Sequence, residues 1–547
     1  MLTSFMHNDA NDIDADRVGT VLKYDIVVVG AGSNSLVAAA YLAKAGKKVL
    51  VLEKNAQCGG GVISIEIAPG FTHDPHSTGY YPMMSNPAIK DNELELCTRH
   101  GLEFVTYPAG FGTIYDDGTH ITAFTDLDRS CQEIAKFSQK DADAYRAFGE
   151  DAISVLPILS RGAATPPMPT AGFIGMLESS PIGRRIASAF FKSFYEVIDD
   201  LFEAPEVKLH ILKWCAEMME GPDVKGTGVV LYNLFGMAHT QDGAAPKGGA
   251  RAIIDSLIRC IEHHGGEIRT NAEVTSLDIV SGEVKGVFVG EEHIAAGDAV
   301  IANIHPWRLG DWLPGLDPEI AASARRTHLS NHGAINQQIA LSEPPRFAAG
   351  DQFDDVMCVE FVHKDVEAIR RVFDEYKYGR IPTTCLSPLA INHTSRDPSR
   401  APAGQSALYL YHFAPLKLAD GGLEAWARPE NGQAYADRIL DEYLKHVTNI
   451  DSSKIIARHI ETPLDHHNHS ASMMNGDIFG IGSTMGQLLG RRPTPELAQY
   501  RVPGFKGLYL SGPFMHPGGT VTFGGRATAM RMAMDMGMSL KTIFPAY

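Results

Sequence analysis

YDIVVVGAGSNSLVAAAYLAKAGKKVLVLE, from Tyr24 to Glu53, passes from strand to glycine turn to helix to strand and ends on an acid. Asp25 to Val29 has unbroken strand character, Gly30-Ala31-Gly32 forms the turn, an Ala/Leu-rich helical segment runs to Gly46, and Val49 to Leu52 is a second apolar strand. That order and spacing are those of a βαβ unit carrying a dinucleotide fingerprint. Gly30 permits the tight turn, and Gly32 lets the backbone approach a pyrophosphate. The helix opening near Ser33 offers free N–H groups and a favourable dipole. Glu53 stands where a carboxylate accepts hydrogen bonds from a ribose. Ser35 takes the place of the third glycine, which serves close helix–strand packing, so a slightly looser contact is expected there.

A chain of 547 residues is too long for one compact core and should divide into two or three domains. Its 44% hydrophobic and 21% charged residues are those of a soluble globular protein. A formal net charge of -17 leaves no basic stripe to neutralise phosphates, which argues against nucleic acid and against docking on anionic lipid through charge. Seven widely spaced cysteines form neither a disulfide framework nor a CxxC pair, so a reducing, cytoplasmic compartment is expected. Residues 1–20 are acidic and polar, without the apolar core of a signal peptide, and read as a flexible leader. No run of 18 apolar residues is present to span a membrane.

Three adjacent glycines, Gly59, Gly60 and Gly61, follow Glu53 and suggest backbone lying flat against a bulky ligand. Between Asn86 and Ala245 the pattern turns helical: Ser130 to Leu159 reads as helix, Pro166 to Pro169 as a break, and Phe173 to Phe202 as a core-facing helix of a cap domain. This last stretch, with Arg184, Arg185 and Lys192, is also the one that could touch lipid at a peripheral contact. Arg251 to His264 has apolar residues at helical spacing, Glu267 to Leu277 reads as strand, turn and strand, and two more strands end on Ala302. Strand-like runs recur at Ala334 to Leu341, Met357 to Val362 and Ala407 to Tyr411, and helix returns at Glu424 to Val447. The histidines of Leu464 to His469 lack a clean helical i, i+4 spacing, so a polar loop is expected and no metal site. Gly507 to Met538 is a short strand, a glycine-rich loop and a Met-rich helix. A second glycine-rich turn opening a helix is what a two-ended cofactor needs.

The βαβ unit, the glycines after the acid, the PGF and DPHSTG stretches, PKGGA with GGEIRTNAEV, VIAN, and the final YLSGPFMHPGGTVTFGGRA resemble the FAD-dependent phytoene desaturase (carotenoid desaturase) family. The branch with the nearest resemblance is that of pyridine-nucleotide-disulfide-oxidoreductase-domain-like proteins, which the run from Gly476 to Pro493 also resembles. The resemblance implies an α/β chain: a glutathione-reductase-type, Rossmann-like FAD domain assembled from discontinuous segments, 21–90, 246–310 and 500–547, and a mixed α+β substrate or cap domain from 91–245 and 311–499. Carried over by position, Gly30, Gly32, Ser33, Asn34 and Ser35 would flank the pyrophosphate, and Glu53 with Lys54 would hold the adenosine ribose. Gly59, Gly60 and Gly61 would follow the ribityl and pyrophosphate side, and Val274 would meet adenine through its backbone. Gly512 and His516 with Gly518, Gly519, Thr520 and Val521 would lie at the ribityl chain and isoalloxazine ring, where a helix N-terminus stabilises negative charge. Two departures stand out. The family's Gly-Gly-Arg lacks its arginine after Gly60-Gly61, and Thr520 and Phe523 replace small residues.

A flavin accepts hydride at N5, so the protein must place a C–H bond over the ring, exclude water and, to form C=C, remove a proton. His76 and His516 are the candidate catalytic residues, since histidine titrates near neutral pH; the alternative is that both orient the cofactor or cap a turn. The leading expectation is an FAD-dependent desaturase or dehydrogenase acting on an apolar isoprenoid or alicyclic substrate. A flavin amine oxidase, a flavin-dependent double-bond isomerase and an interaction protein holding FAD as a structural element are the other readings. Oxygen, a quinone or a nicotinamide is open as electron acceptor, and the single fingerprint speaks against NAD(P) as a second tightly bound cofactor.

Overall fold

The computed structural model describes residues 23–519 and 521–546; the leader at 1–20 and Thr520 lie outside the described residues. The fingerprint builds the middle of an eight-stranded sheet. Strand Lys23–Val29 lies between Val49–Leu52 and Glu292–Ala302, parallel to both, with Glu267–Arg269 beyond Leu52 and Phe505–Leu510 beyond Ala302. The strands Val274–Val280 and Glu283–Val289 extend it as an antiparallel ribbon, and the short Arg501–Val502, antiparallel to Phe505–Leu510, is the eighth strand. Ile26 and Val28 enter one apolar core while Val27 enters another, so the parallel strands are buried on both faces. That explains the unbroken apolar run in the sequence.

A second sheet of seven strands runs in the order Ile455–Glu461, Gly333–Leu341, Ser406–Ala414, Leu389–Ile391, Val356–Val362, Ala109–Tyr115, His120–Phe124. Its alternating side chains divide between two cores: Leu408 and Leu410 on one face, Tyr409, Tyr411 and Phe413 on the other. The face bearing the tyrosines is covered by helices drawn from residues 139–238. Leu94, Leu96 and Leu102 pack into the core of the first sheet, past the boundary expected at residue 90.

Several elements differ from expectation. The helix read over Ser130 to Leu159 is two, Leu127–Ala135 and Gln139–Ala163, because Ser138 caps the second by accepting from Asp141 N at 3.1 Å. Phe173 to Phe202 is three short helices that bury Phe173, Ile186, Phe194 and Ile198 and leave Met176 and Phe191 exposed. The helix expected over Glu424 to Val447 is Gly432–Leu444, preceded by a 3-10 turn at Glu424–Ala427 and followed by a turn that ends on Val447, bridged to Phe347. Leu464 to His469 is no loop: Pro463–His469 is helical, and Asp465 Oδ2 accepts from Thr462 N and Oγ1 at 2.8 and 2.7 Å. Among the described residues, no helix is long and apolar enough to cross a membrane.

The two sheets are locked together by a buried charge cluster. Arg400 donates to Asp74 Oδ2 at 2.6 Å, Asp397 Oδ2 at 3.1 Å and the Pro246 carbonyl at 2.8 Å. Asp74 in turn accepts from Ala250 N and Ser64 Oγ, and Asp397 from Gly248 N, so one guanidinium fixes the turn that opens helix Arg251–His263. Arg400→Met strands two buried carboxylates and is expected to cost about 3–5 kcal/mol. Urea unfolding would show it as a lowered midpoint, with Arg400→Lys between the two; an unchanged midpoint would remove the cluster from the account of stability.

Candidate functional site

A cavity of about 350 Å³ lies along the carboxyl ends of the first sheet's strands. The glycine turn forms its floor. Helix Ser33–Lys44 starts at Gly32 with no side chain capping its first N–H groups, and helix Gly525–Asp535 starts uncapped at Gly524. The first helix end, whose Ser33 and Asn34 line the cavity, offers free donors where an anionic bridge of a dinucleotide would lie. The second abuts it at Asn34, and its Arg526 and Ala527 N–H groups donate to the Phe523 and Gly524 carbonyls at 3.1 and 3.0 Å. The cavity is lined by Gly30, Gly32, Ser33, Asn34, Glu53, Lys54, Gly59, Gly60, Gly61, His76, Val274, Gly512 and Val521. These are the sequence-expected residues, brought together from four separated segments.

Glu53 is buried, and its carboxylate accepts from Ala31 N at 2.8 Å and Asn55 N at 2.9 Å, so it braces the glycine turn as well as facing the cavity. The three glycines serve protein packing first. A Cβ on Gly59 would overlap the Val62 carbonyl, one on Gly60 would come 3.3 Å from Gly32 Cα, and one on Gly61 2.6 Å from Met473 Cε. They let the following segment lie against the fingerprint, where Gly59 N donates to Ala31 O at 2.8 Å. Ser35 is fully buried and lines no cavity; the tightest approach to its helix is made by Gly525 of the last helix instead.

A second cavity, about 310 Å³, meets the first at His76, Ser77, Tyr409, Tyr411 and Ile478. Gly518 and Gly519 line this one, beside Thr522, and most of its wall is apolar, Phe111, Trp214, Met219, Met237, Met357 and Leu389 among others, with Asn86, Glu217 and Asn233 as polar exceptions. Arg492, fully buried, buttresses the Gly518 turn from behind by donating to the carbonyls of Gly482 and Pro513, each at 2.9 Å.

The two nominated histidines part company. His516 lines neither cavity; its Nε2 meets the Gly162 carbonyl at 3.0 Å, and burial pushes it down to about 4, so it is a neutral anchor between two elements. His76 lines both cavities, and neither ring nitrogen has a hydrogen-bond partner. Burial, then the rings of His466 and His469, holds it well below the ordinary histidine range. Glu461 Oε2 lies 3.4 Å from its Nδ1, and the ligand-type atoms of His76, Glu461 and His466 all lie within 4.8 Å of one another. The His466–His469 segment expected as a polar loop is thus part of the cavity wall. His466 Nε2 pairs with Asn336 Oδ1 at 2.9 Å, and His469 Nε2 with the Gly60 carbonyl at 2.9 Å.

Sequence reasoning missed Asn303, Tyr409, Tyr411 and the Ser470–Met473 turn as lining residues. Asn303 follows the VIAN strand and stands against both Gly30 and Gly512, so the motif held a signal for it. The tyrosines had a weaker one, alternation along a strand whose partners were unknown.

A profile for an NAD(P)-binding Rossmann-like domain matches residues 28–91. Curated proteins match nearly end to end, three of them as follows. Pyridine nucleotide-disulfide oxidoreductase domain-containing protein 2 of Mus musculus is 28% identical, covering 91% of this chain and 91% of that protein. A limonene dehydrogenase chain of Castellaniella defragrans is 25% identical over 95% of this chain and 96% of its own length. The 4,4'-diapophytoene desaturase of a Methylomonas species is 25% identical, covering 90% and 91%. Among solved structures, an oxidoreductase from Methanosarcina mazei shares the fold with a TM-score of 0.57 at 18% identity, over 94% of this chain and 100% of that one.

Proposed function

From a chain that fits the carotenoid-desaturase-like family and is a flavin-type oxidoreductase, we propose an FAD-dependent enzyme that removes hydride from a C–H bond of an apolar isoprenoid or alicyclic molecule and leaves a C=C bond. The observation that supports it is the meeting of two cavities, one floored by the dinucleotide turn and the other walled by apolar side chains, across His76 and the two tyrosines. When bound, the flavin supplies the hydride acceptor. The protein's own residues do the rest. Ser33 and Asn34 offer backbone N–H groups to the pyrophosphate, Glu53 and Lys54 lie at the ribose, and Val274 lies at the adenine end. Gly518 and Gly519 open the flavin end to the substrate. The aromatic and Met side chains exclude water from the reacting C–H bond.

His76 is the group placed to take the accompanying proton. It is neutral, its nitrogens are unpartnered, and the Glu461 carboxylate stands 3.4 Å behind to stabilise the imidazolium that results. The amine-oxidase reading calls for two aromatic rings with a slot between them. Tyr409 and Tyr411 stack at 6.1 Å between centroids, which leaves less than the roughly 7 Å that two carbon contacts of about 3.5 Å need. This pair therefore offers no such slot.

The visible spectrum of the purified protein tests the proposal. Flavin absorbance is expected, bleaching anaerobically with an alicyclic or isoprenoid compound as the product loses two hydrogens. Oxygen, a quinone and a nicotinamide, each admitted to the bleached protein, would identify the acceptor. A spectrum without flavin sinks the assignment, and a product of unchanged mass would replace desaturation by isomerisation.

A further inference from the structure

Where strand Ile455–Glu461 turns into helix Pro463–His469, Glu461 and His466 meet the loop that carries His76. Glu461 Oε2 lies 3.4 Å from His76 Nδ1 and 3.9 Å from His466 Nε2, and one ligand-type atom from each of the three residues falls within 4.8 Å of the other two. Cross-strand pairing sets Asn336 beside Glu461, and Asn336 Oδ1 lies 2.9 Å from His466 Nε2. Neither approach to Glu461 Oε2 is a hydrogen bond. That oxygen and both His76 nitrogens are without a partner among the described residues, although the His76 side chain is only 3% exposed.

The neighbouring groups are already committed. Asp465 accepts from Thr462 N, His469 Nε2 meets the Gly60 carbonyl, and His459 Nε2 lies 3.3 Å from the other oxygen of Glu461. What remains is two imidazoles and one carboxylate oxygen gathered around one point. A carboxylate oxygen buried against imidazole lone pairs is unfavourable unless a proton or a cation lies between them. Tetrahedral zinc, with bonds of about 2.0–2.2 Å, holds its ligand atoms about 3.3–3.6 Å apart, whereas an octahedral ion with bonds of about 2.1 Å holds adjacent ones about 3.0 Å apart. The observed 3.4 and 3.9 Å fit the tetrahedral spacing better. Two imidazoles with one carboxylate also suit zinc in ligand type.

We propose that His76 Nδ1, Glu461 Oε2 and His466 Nε2 bind one Zn²⁺ ion, with Asn336 Oδ1 beside it as a fourth oxygen, and that the filled site switches His76 off as a base. His466 reaches the ion by moving its ring proton from Nε2 to Nδ1, which has no partner. His76 coordinates through Nδ1 and so keeps its ring proton on Nε2, the nitrogen that would otherwise receive the substrate's proton. Zinc binding needs only this geometry, whereas the switching rests on the desaturase function proposed above. The run from Leu464 to His469 shows no metal spacing by itself because the third ligand arrives from residue 76.

Calorimetric titration of the flavin-loaded protein with ZnCl₂, after chelator treatment and desalting, reads the site without turnover. One saturable site per chain is expected, filled at micromolar zinc. Glu461→Gln and His466→Gln should each weaken it at least about 100-fold, beyond the roughly 10–100-fold that loss of an outer partner costs. His263→Gln is the control for surface binding, since its ring lies 4.9 Å from that of His264 and 5.5 Å from that of His100; affinity should not change. Co²⁺ in place of zinc should give ligand-field bands to the red of the flavin absorbance that zinc abolishes. This wild-type signature decides the site even if a variant fails to fold. No saturable binding, the pale spectrum of hydrated Co²⁺, or unchanged affinity in folded Glu461→Gln and His466→Gln overturns the site. With the site filled, bleaching of the flavin by the compound found in the spectral test should slow at least about tenfold; an unchanged rate overturns the switching. Zinc binding in a protein that no compound bleaches would end the redox reading, and the switching with it, and leave the site standing.

Discussion

Between pH 7 and pH 5.5 the melting temperature of this protein is expected to fall by roughly 10 °C or more, far beyond what its surface ion pairs account for. The cause is a set of histidines buried as neutral rings. Burial pushes His73, His239, His305 and His516 down to about 4, and His210, His332, His393 and His412 down to about 3. Several are used as acceptors: Ser387 N donates to His412 Nε2 at 2.9 Å, and Trp307 N to His305 Nδ1 at 3.2 Å. Protonation would turn each acceptor against its donor. In the unfolded chain these rings take up protons near pH 6.5, so below that pH the unfolded state binds more protons than the folded one, and stability falls as pH falls. Each ring contributes about 1.4 kcal/mol per pH unit until its own folded value is reached. Eight together give on the order of 10 kcal/mol per unit, comparable to the whole stability of a domain. Thermal unfolding followed by circular dichroism from pH 8 to pH 5 checks this; a flat profile would mean that these rings titrate freely in the folded state.

The nucleotide half was legible because its signals are local. Gly30, Gly32 and Glu53 act within one βαβ unit, and strand, turn and helix lie in sequence order, so the motif and the structure coincide residue by residue. Gly59 to Gly61 were visible as glycines, but their reason was not, since the atoms that forbid a Cβ belong to Val62, Gly32 and Met473. The substrate half was illegible for a related cause. Tyr81, Trp214, Glu217 and Tyr411 come from separated segments, a short helix, a longer helix and a strand, and meet at one cavity only in the folded chain. Histidines at i, i+3 in a short helix gave no metal-like or catalytic spacing, yet His466 and His469 meet His76 because the chain returns to Gly60. Buried pairs such as Arg526 with Glu93 have no sequence signature at all, because any two distant residues of opposite charge look alike before the fold is known.

Gly525→Ala, a change of one methyl group, is expected to empty the protein of flavin. The helices Ser33–Lys44 and Gly525–Asp535 start side by side, the first of them at the cavity floor. A Cβ at Gly525 would overlap the Asn34 carbonyl oxygen and lie 2.8 Å from Asn34 C and 2.9 Å from Ala38 N. These are backbone atoms in a buried helix, so no side chain can swing aside; the helices must separate. Separation is resisted next door. Arg526 donates to Glu93 at 2.7 and 2.9 Å and to the Ala164 carbonyl at 2.7 Å, while Tyr41 of the first helix donates to the same carboxylate at 2.6 Å. Moving the last helix outward therefore stretches a buried ion pair as well as displacing Val521, which lines the cavity. Overpacking alone costs about 1–3 kcal/mol, and strain on the pair brings the total to about 3 kcal/mol or more. Gly175→Ala provides the control: that glycine sits inside helix Thr170–Glu178 with nothing within 4 Å of the added atom, and the change should be neutral or mildly stabilising. The ratio of flavin to protein absorbance in the two purified variants is the measurement. Below one tenth of the wild-type ratio for Gly525→Ala, with Gly175→Ala unchanged, places the cofactor's seat at the junction of the two helix ends; full loading of Gly525→Ala would show that this junction does not shape the site.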